Sequence, residues 1–119
     1  MTLNNKQIHE LKCWPEFFLP LKDRTKEFEL RKNDRDYKVG DYLLLREFDP
    51  GFDDGYTGRK TYRQVQFVLS VDRAPDGLKD GYVILGLTIV TQREEEEIDT
   101  AIWLHKNKQL SEQFAAEVP

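Results

Sequence analysis

The stretch "EFELR", residues 27–31, alternates strictly: Phe28 and Leu30 point one way, and Glu27, Glu29 and Arg31 point the other. A period of two is the signature of a strand, and it recurs along the chain. "QIHELKC" (7–13) puts His9, Leu11 and Cys13 on one face and Ile8, Glu10 and Lys12 on the other. "YLLLREF" (42–48) and "YVILGLTIV" (82–90) are apolar on both faces, as strands near the centre of a sheet are. "RKTYRQVQFVLSVD" (59–72) sets Tyr62, Gln64, Gln66 and Val68 against Arg63, Val65, Phe67 and Leu69, with its later half expected to be the more buried. The segments between them, "KNDRDYKVGD", "DPGFDDGYTG" and "RAPDGLKDG", concentrate glycine, proline and aspartate, which break strands and build turns. Five or so short strands joined by long polar loops predict a mostly β protein with short helices, a small barrel rather than a seven-stranded sandwich.

Two helices are expected. In "WPEFFLPLKDRT" (14–25), Pro15 suits a first helical turn, Phe17, Phe18 and Leu21 make a compact apolar side, and Pro20 limits or kinks the helix. After Thr91 the β-branched character fades, and Ile98, Ile102, Trp103, Asn107, Leu110 and Phe114 recur at roughly helical spacing. Glu94 to Glu97 suit the first turn of that helix by the dipole argument, against their mutual repulsion. The division is therefore residues 1–90 as a barrel and 91–119 as an acidic, helical C-terminal tail.

At 119 residues the chain can bury one core. Its charged fraction of 34% is high, but the aromatic fraction of 12% is too rich for a disordered chain. The net charge of -4 argues at first against a phosphate-bearing partner. Its distribution reverses this: through Val90 there are 15 Lys plus Arg against 15 Asp plus Glu, and from Thr91 onward 3 against 7, so the whole deficit lies in the tail. The single cysteine, Cys13, forms no internal disulfide, no apolar run reaches the roughly 20 residues of a membrane helix, and the first residues lack the pattern of a secretion signal. A cytoplasmic location away from the membrane is expected. His9, His105 and Cys13 do not make a zinc set, and "DPGFDDG" lacks the glutamate that closes a calcium loop, so neither a metal nor a cofactor is expected.

Lys26, Glu29 and Arg31 fall within six residues, and Glu29 and Arg31 share a strand face. A carboxylate beside a guanidinium can read the edge of a base, or the two can brace one another. By spacing alone, an exposed salt-bridged strand face and the lip of a polar pocket both stand. Arg35, Lys38, Arg59, Lys60 and Arg63 lie nearby in sequence with Tyr37, Tyr56 and Tyr62 interleaved, an arrangement that suits neutralised phosphate and stacked bases. The same residues could instead cap the core and pair with Asp34, Asp36, Asp53 and Asp54. Trp14, beside Pro15, is core, cleft wall or a stacking surface; Gly40 and Asp41 serve a turn.

"ELKCWPEFF", then "LKDRTKEFELRKNDRDYKVGDYLLLREFD", "YTGR" and "GLKDGYVILGL", resembles the ASCH superfamily, whose domains share the PUA-like β-barrel. More narrowly the chain resembles the small bacterial and phage domain-of-unknown-function family 3850 within it. The resemblance runs from His9 to Leu87 and rests on Lys26, Glu29 and Arg31 followed by Val39, Gly40 and Asp41. It implies a cleft beside the early helix into which the motif residues project, and RNA or a modified nucleoside as partner. Lys26, Glu29, Arg31 and Trp14 would then touch the ligand, with Arg35, Lys38, Arg59 and Lys60 attracting phosphate. The alternative is a small hydrolase acting on nucleosides or RNA from the same cleft, with Lys26 and Glu29 as catalytic residues. One branch of the superfamily is an amidohydrolase that pairs the lysine with a threonine. Glu29 stands at that place here, and a carboxylate is a poor substitute for a hydroxyl attacking an amide.

Overall fold

In the computed structural model, which describes residues 3 and 5–108, the alternating runs become five strands. β1 is Ile8–Cys13, β2 Phe28–Lys32, β3 Tyr42–Phe48, β4 Tyr56–Ser70 and β5 Tyr82–Thr88. Helix α1, Pro15–Lys22, joins β1 to β2, and α2, Gln92–Lys106, follows β5. The strands form one sheet in the order β1-β3-β4-β5-β2. β1 pairs with β3 in parallel, and the other pairings are antiparallel. The sheet curls into a half-barrel, so the expectation of a mostly β protein with a helix near the C-terminus holds.

Lys6–Val90 is one compact unit, and α2 belongs to another. The core of the first is an apolar cluster of Leu11, Cys13, Phe18, Leu21, Tyr37, Leu43, Leu45, Val65, Val83, Leu85 and Leu87, with Val68 against it. β3 and β5 contribute alternate residues to it, and Tyr42 and Leu44 on the other face of β3 are buried too.

α1 starts as Pro15 predicts. Trp14 takes the extended N-cap conformation and Pro15 the first helical position, where a missing N–H costs nothing. Phe18 and Leu21 are buried one turn apart, while Phe17 stays exposed. Pro20 lies inside the helix, where it has no N–H to give to Glu16 O, and the helix ends two residues later, at Lys22.

β4 departs from its alternation. A bulge between Val65 and Phe67 shifts the register against β5, so that Val65 faces Leu87 but Phe67 faces Gly86. The extra residue, Gln66, reverses the parity beyond it. Phe67 is exposed as a result and Val68 packs on the core, so the buried stretch of this strand is residues 61–65 and not its later half.

In its own unit, α2 opens with a capping box: the Thr91 hydroxyl accepts from Glu94 N at 3.1 Å, and the Glu94 carboxylate accepts from Thr91 N at 2.9 Å. Ile98 is buried and Trp103 exposed; Leu110 and Phe114 lie outside the described residues. No described helix is long and apolar enough to cross a membrane.

Candidate functional site

β2 runs opposite to the usual amphipathic sense. Glu29 is 4% exposed, whereas Phe28 and Leu30 are 50% and 56% exposed. The charged face therefore turns inward and the apolar face outward. A buried carboxylate needs partners, and Glu29 has two: Lys26 Nζ donates to Oε1 at 2.6 Å and Arg31 Nε to Oε2 at 2.7 Å.

Lys26 precedes the strand, in a turn where its N–H donates to Pro20 O at 2.9 Å. From there its ammonium also reaches Phe28 O at 2.7 Å and lies over the rings of Phe28 and Phe17, 4.9 and 5.6 Å from their centroids. Arg31 Nη2 crosses to Lys12 O on β1 at 2.8 Å. β1 and β2 are the two edge strands, so this contact spans the open side of the curled sheet. Arg35 makes a second crossing, donating from Nη1 to Glu10 O at 3.1 Å. Side-chain donors bridge the gap where a backbone ladder would close a full barrel.

A hollow of 730 Å³ opens along this seam. Lys26, Glu29 and Arg31 line it together with Trp14, Phe17 and Phe28. Trp14 is half exposed and meets Phe48 edge-on, 5.9 Å between centroids. Four cations, Lys12, Lys26, Arg31 and Lys32, line the hollow against one carboxylate, Glu29, which holds Lys26 and Arg31. Lys26 Nζ has one hydrogen left, Arg31 Nη1 makes no bond among the described residues, and each carboxylate oxygen keeps a lone pair. The hollow thus offers several donors and fewer acceptors beside flat apolar walls.

Cys13 also lines the hollow, but burial, with Glu29 adding to it, pushes its thiol up to about 11. It stays a neutral thiol at neutral pH and is no nucleophile there. Each Glu29 oxygen accepts from one cation and keeps a lone pair, on which a substrate donor would meet it.

The other basic residues singled out in the sequence go elsewhere. Arg59 clamps the buried Glu47 through two bonds, Nε to Oε1 at 2.8 Å and Nη2 to Oε2 at 2.6 Å, and Thr57 Oγ1 donates to Oε1 at 2.6 Å. Lys60 lies 5.5 Å from the Tyr62 ring centroid. Lys38 Nζ pairs with Asp36 at 3.1 Å on the surface. Arg63 is buried and donates to Leu21 O, tying β4 to the end of α1. Asp41 accepts from Lys38 N, as its turn requires, and also from His9 Nε2 at 2.9 Å. None of Lys38, Arg59 and Lys60 lines the hollow, whereas Phe17, Phe28 and Lys12, which the sequence did not mark, do. The alternation placed Lys12 on the outer face of β1; only the approach of β2 makes that face part of a site.

The fold and the hollow define a small half-barrel protein with a polar-floored, aromatic-walled cleft between its two edge strands. Residues 8–87, which span β1, α1 and β2 to β4 and all but the last residue of β5, match the family described as Domain of unknown function (DUF3850), and the chain belongs to that family. A protein of Escherichia phage P2, "Uncharacterized 12.9 kDa protein in GpA 3'region", is 37% identical over 79 residues. The match covers 66% of this chain and 66% of the phage protein's own length.

Proposed function

We propose that this protein is an RNA- or modified-nucleoside-binding module, with the PUA-like barrel of the ASCH superfamily, that takes a base into the hollow at the β1–β2 seam. The observation that carries the reading is the convergence of Lys26, Glu29 and Arg31 on one concave surface walled by Trp14, Phe17 and Phe28. Single-stranded or flipped bases are held by just this pairing of stacking surface and edge donors. The residues that hold the base are then Lys26, Arg31 and Trp14, with Glu29 fixing the two cations. The residues that carry this reading all lie in the Lys6–Val90 unit. The lone cysteine needs no oxidising compartment, and the protein works in the cytoplasm.

The test is titration with a panel of ribonucleosides, including acetylated cytidine, and with a short single-stranded RNA. Saturable binding is expected, weakened about fivefold to a hundredfold in Trp14→Ala, since a stacked base contributes about 1–3 kcal/mol. Lys26→Ala should weaken it too. Absence of binding to every member at millimolar concentration ends the proposal. Turnover that vanishes in Glu29→Gln would instead identify the hydrolase.

A further inference from the structure

A second hollow, of 440 Å³, adjoins the first along the same seam. The two share Lys12, Arg31 and Lys32 in their walls. Their chemistry differs. The first has Trp14, Phe17 and Phe28, and the second has Tyr37 and Tyr56 in their place and adds Arg35, Glu10 and Asp34. Its charges are four cations against two carboxylates. Glu10 is already paired with Arg46 at 3.1 Å and Arg31 with Glu29, so Asp34 is the other carboxylate in a wall that also holds Lys12, Lys32 and Arg35. Arg35 gives one hydrogen of Nη1 to Glu10 O, and the rest of its fork remains for an anion. Lys12 Nζ stands 4.4 Å from the Phe48 ring centroid, held at the boundary between the hollows.

A hollow walled by Trp14, Phe17 and Phe28, joined through Lys12, Arg31 and Lys32 to one that adds Arg35, matches the two halves of a nucleotide. We propose that the ligand of the first hollow carries a phosphate directly on its nucleoside, and that this phosphate seats in the second hollow against Lys12, Lys32 and Arg35. The inference rests on the base-binding reading above and sharpens it: the substrate class is a nucleotide, free or within a strand, and not a bare nucleoside. The cations that do this work come from β1, from the last residue of β2 and from the loop after it. Lys38, Arg59 and Lys60 have no share in it.

The experiment compares, by calorimetry at low salt, each ribonucleoside with its 5′- and 3′-monophosphates, a trinucleotide and inorganic phosphate. At least one phosphorylated ligand should bind tenfold or more tightly than its nucleoside. That ratio should fall toward one in Lys32→Ala, in Arg35→Ala and at raised salt, because screening and loss of cations both weaken phosphate contacts. Lys32 is exposed, so its replacement leaves the core intact and keeps the test valid even if Arg35→Ala unfolds. A tightest-binding monophosphate would name a free nucleotide as the source, and a tightest-binding trinucleotide a strand. A ratio near one in the unaltered protein overturns the phosphate seat while leaving base binding in place. Inorganic phosphate binding as tightly as the nucleotides overturns it as well, since the hollow would then be a general anion site. Failure of every nucleoside and nucleotide to bind removes the base-binding reading itself.

Discussion

Arg31 Nη2 donates to the Lys12 carbonyl at 2.8 Å, so a single guanidinium spans the two edge strands of the half-barrel. Its Nε is bound to Glu29 at 2.7 Å, which sets the direction in which the fork points. Arg31→Ala should therefore cost about 3 kcal/mol of stability, from two hydrogen bonds made by a charged donor. Arg31→Lys should recover little, because an ammonium cannot reach both acceptors at once. Urea unfolding of the three proteins measures this; equal midpoints for Arg31 and Lys would mean that the bridge does not matter.

Glu29 sits between two cations that have no other carboxylate at hand. Glu29→Gln keeps the shape and removes the charge, leaving Lys26 and Arg31 to repel. A loss of roughly 3 kcal/mol is expected, the scale for breaking a buried ion pair by removing one partner. Chemical denaturation checks it, and a change below about 0.5 kcal/mol would place the carboxylate effectively in water.

Glu47 supplies a pH dependence. The Arg59 guanidinium, helped by the Thr57 hydroxyl and opposed by burial, holds its carboxyl below the ordinary value of 4.5. A carboxyl with a lowered folded pKa binds its proton less readily when folded. Its contribution is thus present at neutral pH and is lost as the pH falls below about 4.5 toward the folded value. Glu47→Gln and Arg59→Ala should each lower stability at pH 7 and flatten the acid limb of the stability profile. An unchanged limb in both contradicts the assignment.

Cys13 gives the opposite sign. Its thiol rises from 9.0 to about 11, so the stabilisation is complete below pH 9 and declines as the pH climbs through about 11. Alkylation by iodoacetamide at pH 8 should be slow in the folded protein and fast in urea. Rapid labelling of the folded protein would show the thiol to be accessible.

Gly55 closes the β3–β4 loop at φ +95°, and a Cβ there would overlap the Phe48 ring. Gly55→Ala combines an unfavourable left-handed backbone, about 1–2 kcal/mol for an L-residue, with displacement of Phe48. Since Phe48 meets Trp14 edge-on, the tryptophan emission should shift along with the loss of thermal stability. A variant as stable as the parent would show that the loop relaxes freely.

Much of this architecture could be read along the chain because it is local. Alternation in "EFELR" and "QIHELKC", the apolar runs of β3 and β5, Pro15 at a helix start and the turn at Gly40 and Asp41 depend on neighbours a few residues away. Even the Thr91 capping box was legible, as a threonine three residues before Glu94, although the helix was inferred from spacing and the dipole alone. The bulge at Gln66 was not, because it exists only in the register of β4 against β5.

The motif residues Lys26, Glu29 and Arg31 were visible as a cluster, but their direction was not. Period two says that Glu29 and Phe28 face opposite ways, and it is silent on which way is in. That was decided when β2 became an edge strand whose charged face turns toward β1, so that burial of Glu29 is compensated by two cations, one of which, Arg31, is anchored on a carbonyl 19 residues earlier in the chain. Local rules choose strands, turns and caps; which edges approach, and so which side chains share a hollow, follows from pairings between distant residues that no short window of sequence contains.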